Sequence, residues 1–327
     1  MDDWAVIEGE PTVASVGEGA ALAAVFPRLA ASRERIIGPG DDAAVLAAPD
    51  GRVVITVDTM IEGPDFRRAF SSPSDVGWKL AATNLSDVAA MGARPTALVV
   101  ALAVPPDTPV RVLEGIADGL RNACATLAPG CGIEGGDLAR ADVVTAAVTA
   151  FGDLEGREPV LRGGARPGDV VALSGRLGEA ARGLALLFEH GMRAAAARAA
   201  DAVDAQLRPR PPIADGVAAA RAGATAMLDV SDGLVLDARR IARASSVAID
   251  LEASAIQSIL ADTAGYALGD LERALEGGED HGLLATFPPD VALPGGFRPI
   301  GRVTAGEGVL VDGAPYGGRG GWDPFRV

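Results

Sequence analysis

Five glycines and two prolines fall between Gly152 and Gly168, and they divide the 327-residue chain into halves that each alternate apolar runs with helical stretches. That alternation confines the fold to helices laid on sheets. In the first half, an Ala-rich amphipathic stretch, Glu18 to Leu29, precedes apolar runs at Ala43 to Leu46 and Val53 to Val57. A helix capped by Ser74 or Asp75 is expected to run to about Met91, ended by Gly92 and Pro95. A buried strand over Thr96 to Val104, a helix over Val110 to Leu127 and a strand over Val143 to Phe151 complete this half. The second half predicts strands at Val170 to Ser174, Ala226 to Val230 and Val247 to Leu251. Its helices are expected at Gly178 to His190, Met192 to Val203, Ile213 to Ala222 and Leu234 to Ala244, with short segments and a Gly-rich tail to follow. The expected class is therefore α/β (α+β), with mixed sheets covered by helices and domains at 1–153 and 154–327.

Charge removes several functions. With 29 Lys+Arg against 44 Asp+Glu the net charge is −15, which opposes a broad footprint on nucleic acid or anionic lipid. The longest apolar run, Ala97 to Val104, is too short for a membrane helix, and the opening MDDWAVIEGEP lacks the pattern of a secretion signal. A cytoplasmic protein without nucleic-acid or membrane partners is expected. Cys124 and Cys131 have six residues between them and only two histidines accompany them, so neither a disulfide framework nor a structural zinc site is expected. The chain has a single lysine, Lys79, followed by Leu80, and this rules out a Walker P-loop. Neither His190 nor His281 stands in a His-Arg-Asp loop, and no Gly-x-Ser-x-Gly elbow is present.

Acidic residues recur where apolar elements meet Gly-rich turns: Gly40-Asp41-Asp42, Val57-Asp58, Asn84-Leu85-Ser86-Asp87, Gly135-Gly136-Asp137, Asp229-Val230-Ser231-Asp232-Gly233 and Gly277-Gly278-Glu279-Asp280. Taken singly, most of these are ordinary turn and cap chemistry. Taken together, they could place six or more carboxylates in one cleft, where one lysine could not neutralise them. Mg²⁺ could, since it takes one or two carboxylates and completes its octahedron with water and phosphate oxygens. No EF-hand spacing occurs, so calcium storage is the weaker option.

The ordered set of motifs, from Gly38-Pro39-Gly40-Asp41-Asp42 to Gly277-Gly278-Glu279-Asp280, resembles the thiamine-monophosphate kinase family of the aminoimidazole-ribonucleotide-synthetase-like superfamily. The resemblance covers about Glu18 to Phe325. It implies a two-domain fold with an active cleft between the domains, several Mg²⁺ ions, ATP as co-substrate, thiamine monophosphate as acceptor, and a homodimer formed through the N-terminal domain. Carried over by position, metal ligands fall on Asp42, Thr56, Val57, Asp58, Asp87, Asp137, Asp229 and Asp232, with Asp58 and Asp87 central to catalysis. Nucleotide contacts fall on Gly136, Asp137, Arg162 and Ser231, and substrate contacts on Glu279 and Trp322.

Three positions depart from the family pattern. Asp65 stands where a substrate-binding histidine is usual, Pro212 where many members carry arginine, and His281 in place of a common tyrosine. The rival readings are a sister ATP-dependent enzyme of the superfamily and a non-catalytic nucleotide-binding relative, the latter drawing on Asp65 and Pro212. Retention of so costly a charge cluster argues for catalysis.

Overall fold

The structure is a computed structural model and describes residues 3–38, 43–261 and 270–322. Asp41, Asp42 and the residues from Asp323 onward lie outside the described residues. The chain forms two compact units, Met1–Val88 with Arg94–Glu155, and Ala89–Ala93 with Gly156–Val327.

In the first unit, α1 (Val13–Val16) and α2 (Glu18–Val25) lead to a short antiparallel pair, β1 (Arg35–Ile37) and β2 (Val45–Leu46). There follow β3 (Val54–Ile61), α3 (Pro73–Ala90), β4 (Arg94–Val104), α4 (Val110–Leu127), β5 (Gly132–Arg140) and β6 (Thr145–Asp153). The four long strands make one sheet in the order β3-β6-β4-β5, with only β4 and β5 parallel. The sequence places Asp58 at the end of an apolar run, whereas it lies in the middle of β3, because Thr59 to Ile61 continue pairing with β6. Gly135-Gly136-Asp137, read as a turn, lies within β5. Pairing with β4 holds these glycines extended where their intrinsic preference would not.

The start of α3 is set two or three residues earlier than expected. Ser72 is the cap, its hydroxyl accepting from the Asp75 N–H at 3.2 Å while the Asp75 carboxylate accepts from the Ser72 N–H at 2.8 Å. This reciprocal box, with Pro73 in the first helical position, leaves few orphan donors. From Val76 to Ala90 nearly every α3 side chain is buried, so the helix has no solvated face. Such burial requires close neighbours. A Cβ on Gly77 would stand 2.0 Å from the Ile116 carbonyl oxygen of α4. The sheet is less symmetrical, since Ile55 and Val57 of β3 are 63% and 58% exposed on the face that Thr56 and Asp58 do not share.

The second unit contains β7 (Val170–Ser174), α5 (Glu179–Arg198), α6 (Ala200–Leu207), α7 (Ile213–Ala222), β8 (Ala226–Val230), α8 (Leu234–Ser245) and β9 (Ala248–Leu251). It continues with α9 (Ala253–Ala261), α10 (Leu271–Glu276), β10 (Gly282–Phe287), β11 (Arg298–Thr304), β12 (Gly308–Val311) and β13 (Ala314–Pro315). Seven strands form a sheet in the order β13-β12-β9-β11-β7-β10-β8, and only β9 and β12 pair in parallel. Alternate residues feed a core on each face. Leu228, Leu284 and Ile249 meet Leu234 and Ile241, while Met227, Leu283 and Ala285 meet Phe297 and Ala219. Gly191, expected as a break between two helices, is the one non-helical point in α5 (φ 71°, ψ 166°), and the true end comes at Arg198. Both units are mixed sheets covered by helices, the class the alternation required. No helix of the described residues is long and apolar enough to cross a membrane.

Gly77→Ala is expected to lower the melting temperature. The helix-propensity gain of about 1 kcal/mol is smaller than the roughly 1–3 kcal/mol cost of overpacking against a backbone oxygen that cannot rotate away. Thermal denaturation of the two proteins decides it, and a more stable variant would show that α3 and α4 can part freely.

Candidate active site

The predicted residues of the first unit separate into two groups. Thr56 and Asp58 are two positions apart on β3, about 6–7 Å along one face of the strand, and that face looks onto α3. The Thr56 hydroxyl donates to Asp87 Oδ2 at 2.9 Å, and the Asp58 N–H donates to Asn84 Oδ1 at 3.1 Å. Asn84, fully buried, spends its amide N–H on the Leu80 carbonyl at 2.9 Å. The strand and helix are therefore locked together, with Asp58 and Asp87 on the facing surfaces. Val57 points to the opposite face and can offer this group only its carbonyl.

Asp137 lies on that opposite face and far from Asp58. Register across the sheet runs from Asp58 to Val148, Val100 and Gly136, which puts β5 on the far edge, three strand spacings or about 14 Å away. Asp137, one residue further, falls on the exposed face with Ile55 and Ala101. Gly136 and Asp137 line a cavity of about 780 Å³ there, together with Ile55, Val99, Ala101 and Phe151. Asp65 turns back on its own loop, its carboxylate accepting from the Ile61 N–H at 2.7 Å. Among the described residues, no three His, Cys, Asp or Glu side chains are grouped so as to hold a metal ion.

The second unit gathers its candidates more closely. Asp229 is the penultimate residue of β8, and Ser231-Asp232-Gly233 leads into α8. The Glu279 N–H donates to the Ser231 carbonyl at 2.8 Å, the Trp322 N–H to the Asp232 carbonyl at 2.8 Å, and the His281 N–H to the Val230 carbonyl at 3.1 Å. Three separate segments thus meet by main chain alone. A Cβ on Gly278 would stand 2.4 Å from the Ser231 carbonyl oxygen, so the approach requires glycine there. Glu279 and His281 pay for it with φ of 70° and 54°. Trp322 is 54% exposed.

The carboxylates here are answered by groups the sequence reading overlooked. Asp229 Oδ2 lies 3.1 Å from His281 Nδ1, and Arg240 reaches Asp232 at 2.6 Å and also pairs with Asp237. The single lysine cannot neutralise the acidic motifs, but one of them, Asp232, is answered by an arginine one helical turn beyond Asp237 that the charge argument did not count. The signal was the i, i+3 spacing of Asp237 and Arg240 on α8. Arg162 is elsewhere: the neighbouring Leu161 carbonyl accepts from the Met227 N–H at the start of β8, whereas Ser231 and Asp232 follow its end. Within this unit the structure does not bring Arg162 to Ser231.

Two neighbouring carboxyls hold protons unusually well. Burial pushes Asp237 up to about 7 against the pull of Arg240, and burial likewise pushes Asp280 up to about 7 although the Ala180 N–H donates to it at 2.9 Å. Asp280 thereby caps α5.

Residues 40–154 match the AIR synthase related protein N-terminal domain family, and residues 166–311 match the corresponding C-terminal domain family. Fold and motifs together define a chain of the AIR synthase related class. Among curated proteins, a thiamine-monophosphate kinase of Mycobacterium tuberculosis is 42% identical over 332 residues, covering 99% of this chain and 96% of the relative. A crystal structure of thiamine-monophosphate kinase from Stenotrophomonas maltophilia superposes with a TM-score of 0.75 at 32% identity, covering 91% of this chain and 96% of the other. A structure described as AaThiL complexed with AMPPCP and TMP gives a TM-score of 0.73 at 33% identity, covering 87% and 91%. The chain belongs to the thiamine-monophosphate kinase family.

The raised carboxyls have a measurable consequence. Each ionises at 3.8 ordinarily and near 7 when folded, so between those values the folded chain binds protons that the unfolded chain has released. Stability therefore falls as pH rises from about 4 to 7 and levels above. Asp280→Asn keeps the cap acceptor and is expected to flatten part of that slope in melting temperatures taken at about pH 5, 6, 7 and 8. A slope as steep as wild type would place the proton uptake elsewhere.

Proposed function

We propose that the protein transfers the γ-phosphoryl group of ATP to thiamine monophosphate, giving thiamine diphosphate and ADP. The observation that carries the reading is the 42% identity to a thiamine-monophosphate kinase over 99% of the chain. It draws further support from a similar chain at 33% identity whose complex holds AMPPCP and TMP. The acceptor phosphate has a second pKa near ~6, so its oxygen is already an anionic nucleophile at neutral pH and needs no general base. That suits a site whose only histidine, His281, is committed to Asp229. What remains is positioning and charge control.

Mg²⁺ fits the donors present. Thr56, Asp58 and Asp87 offer hard oxygens on facing surfaces, and Mg²⁺ takes only one or two carboxylates beside water and phosphate oxygens. When bound, it would screen the repulsion between the ATP polyphosphate and the acceptor's single phosphate. The chain's own groups do the rest. Glu279 supplies negative charge for the substrate's permanent thiazolium cation, and the exposed face of Trp322 offers a cation–π surface. Backbone N–H groups around Gly233 and Ser231 suit phosphate oxygens.

The finer reading is a cytoplasmic, Mg²⁺-dependent homodimer whose site draws on two copies. Its support is the separation within one chain: Asp58 and Asp137 occupy opposite edges and opposite faces of one sheet. The exposed apolar row of Val53, Ile55 and Val57 lies on the face that carries Asp137, and a second copy would cover it.

Purified protein given ATP, Mg²⁺ and thiamine monophosphate is expected to form thiamine diphosphate, and EDTA or Asp58→Asn to abolish it with the fold intact. ATP binding without product would favour the non-catalytic relative. Asp58→Asn and Asp137→Asn homodimers should both be inactive. A purified mixed dimer should recover about half the wild-type rate, because one of its two sites then carries neither change. Silence of that mixed dimer would remove the shared-site reading while leaving the kinase assignment standing.

A further inference from the structure

Gln206, on α6, is a buried amide that the chemistry above does not use. It is 6% exposed, and its Nε2 donates to Glu279 Oε2 at 2.5 Å. No donor among the described residues reaches its Oε1. Stability alone does not favour such a residue, since an apolar side chain of equal length would leave no buried acceptor unmatched. The surroundings are nevertheless built to hold it. A Cβ on Gly183 of α5 would stand 3.1 Å from Gln206 Cβ and 2.0 Å from the Ala202 carbonyl oxygen, so α6 is pressed against α5 at this point.

Glu279 is gripped from two sides. Its N–H is fixed on Ser231 at 2.8 Å, and its carboxylate is fixed on Gln206. A glutamate side chain loses appreciable rotamer freedom when ordered, and ordering it beforehand spares a ligand that cost. The nature of the donor matters as well. Arginine or lysine in this place would cancel the charge that attracts a cation, whereas an amide N–H orients the carboxylate and leaves its charge intact. We infer that Gln206 is a positioning residue which holds the Glu279 carboxylate toward the cationic, amine-bearing end of the acceptor. This rests on the reading of Glu279 as a substrate contact.

The test is steady-state kinetics of the full-length enzyme with ATP, Mg²⁺ and thiamine monophosphate, alongside melting temperatures. Gln206→Met is expected to raise KM for thiamine monophosphate about tenfold while kcat and KM for ATP stay within about twofold. Gln206→Glu sets two carboxylates against each other, and such a pair shares a proton at low pH. Its KM should be near the wild-type value at about pH 6 and climb with pH, a profile that a packing defect would not produce. Gln206→Met with an unchanged KM, or Gln206→Glu with no pH dependence, would overturn the inference. Wild-type protein without turnover would overturn the kinase reading and this with it, whereas active wild type beside an indifferent Gln206→Met would overturn the positioning role alone.

Discussion

A helix buried on nearly every side cannot carry polar side chains unless something answers them, and for Asn84 and Asp87 of α3 an answer comes from a single strand. Asn84 accepts from the Asp58 N–H and Asp87 accepts from the Thr56 hydroxyl, so β3 and α3 are matched position by position. Sliding the helix by one residue would break both bonds, at about 0.5–1.5 kcal/mol for an ordinary hydrogen bond and more where a charged group takes part. The close approach of α3 to α4 at Gly77 depends on that register. So does the facing of Asp58 and Asp87. Thr56, Asp58 and Asp87, which help fix this packing, are the same residues proposed to hold the metal ion, and this ties the precision of the site to the integrity of the core.

The sheet imposes a second constraint, that of sidedness. Side chains alternate between faces with a period of two, and strands three places apart cannot reach each other. Asp137 therefore belongs to a different environment from Asp58, although the two motifs stand in one ordered series along the sequence. In the second unit Arg162 stands apart, but the acidic candidates do not. Asp229, Asp232, Glu279 and Trp322 meet around one strand end because three loops close on it through main-chain hydrogen bonds.

Much of this was legible. The apolar runs marked most strands, the Gly/Pro break marked the change of organisation, and the ordered acidic motifs marked the family. Individual placements were harder, for physical reasons. Asp58 reads as a strand end because a charged residue interrupts an apolar run, yet pairing with β6 carries the strand past it. Gly135-Gly136-Asp137 reads as a turn because glycine has no strand preference of its own, and only the parallel neighbour β4 makes it extended. The role of Gln206 left no trace in local pattern, since its partner Glu279 is 73 residues away. Arg240 was discoverable from its spacing to Asp237, but its service to Asp232 depends on how the turn before α8 folds back.

The three loops that meet at Ser231 and Asp232 are joined through amide and carbonyl groups that every residue possesses. Exchange of a side chain at Glu279, His281 or Trp322 therefore leaves the scaffold of that corner standing. Descendants of such a corner can exchange one acceptor for another by point substitution, keeping the architecture while the chemistry drifts. His281 shows both layers of that corner: its N–H closes on the Val230 carbonyl, as any residue's could, while its buried ring turns to Asp229.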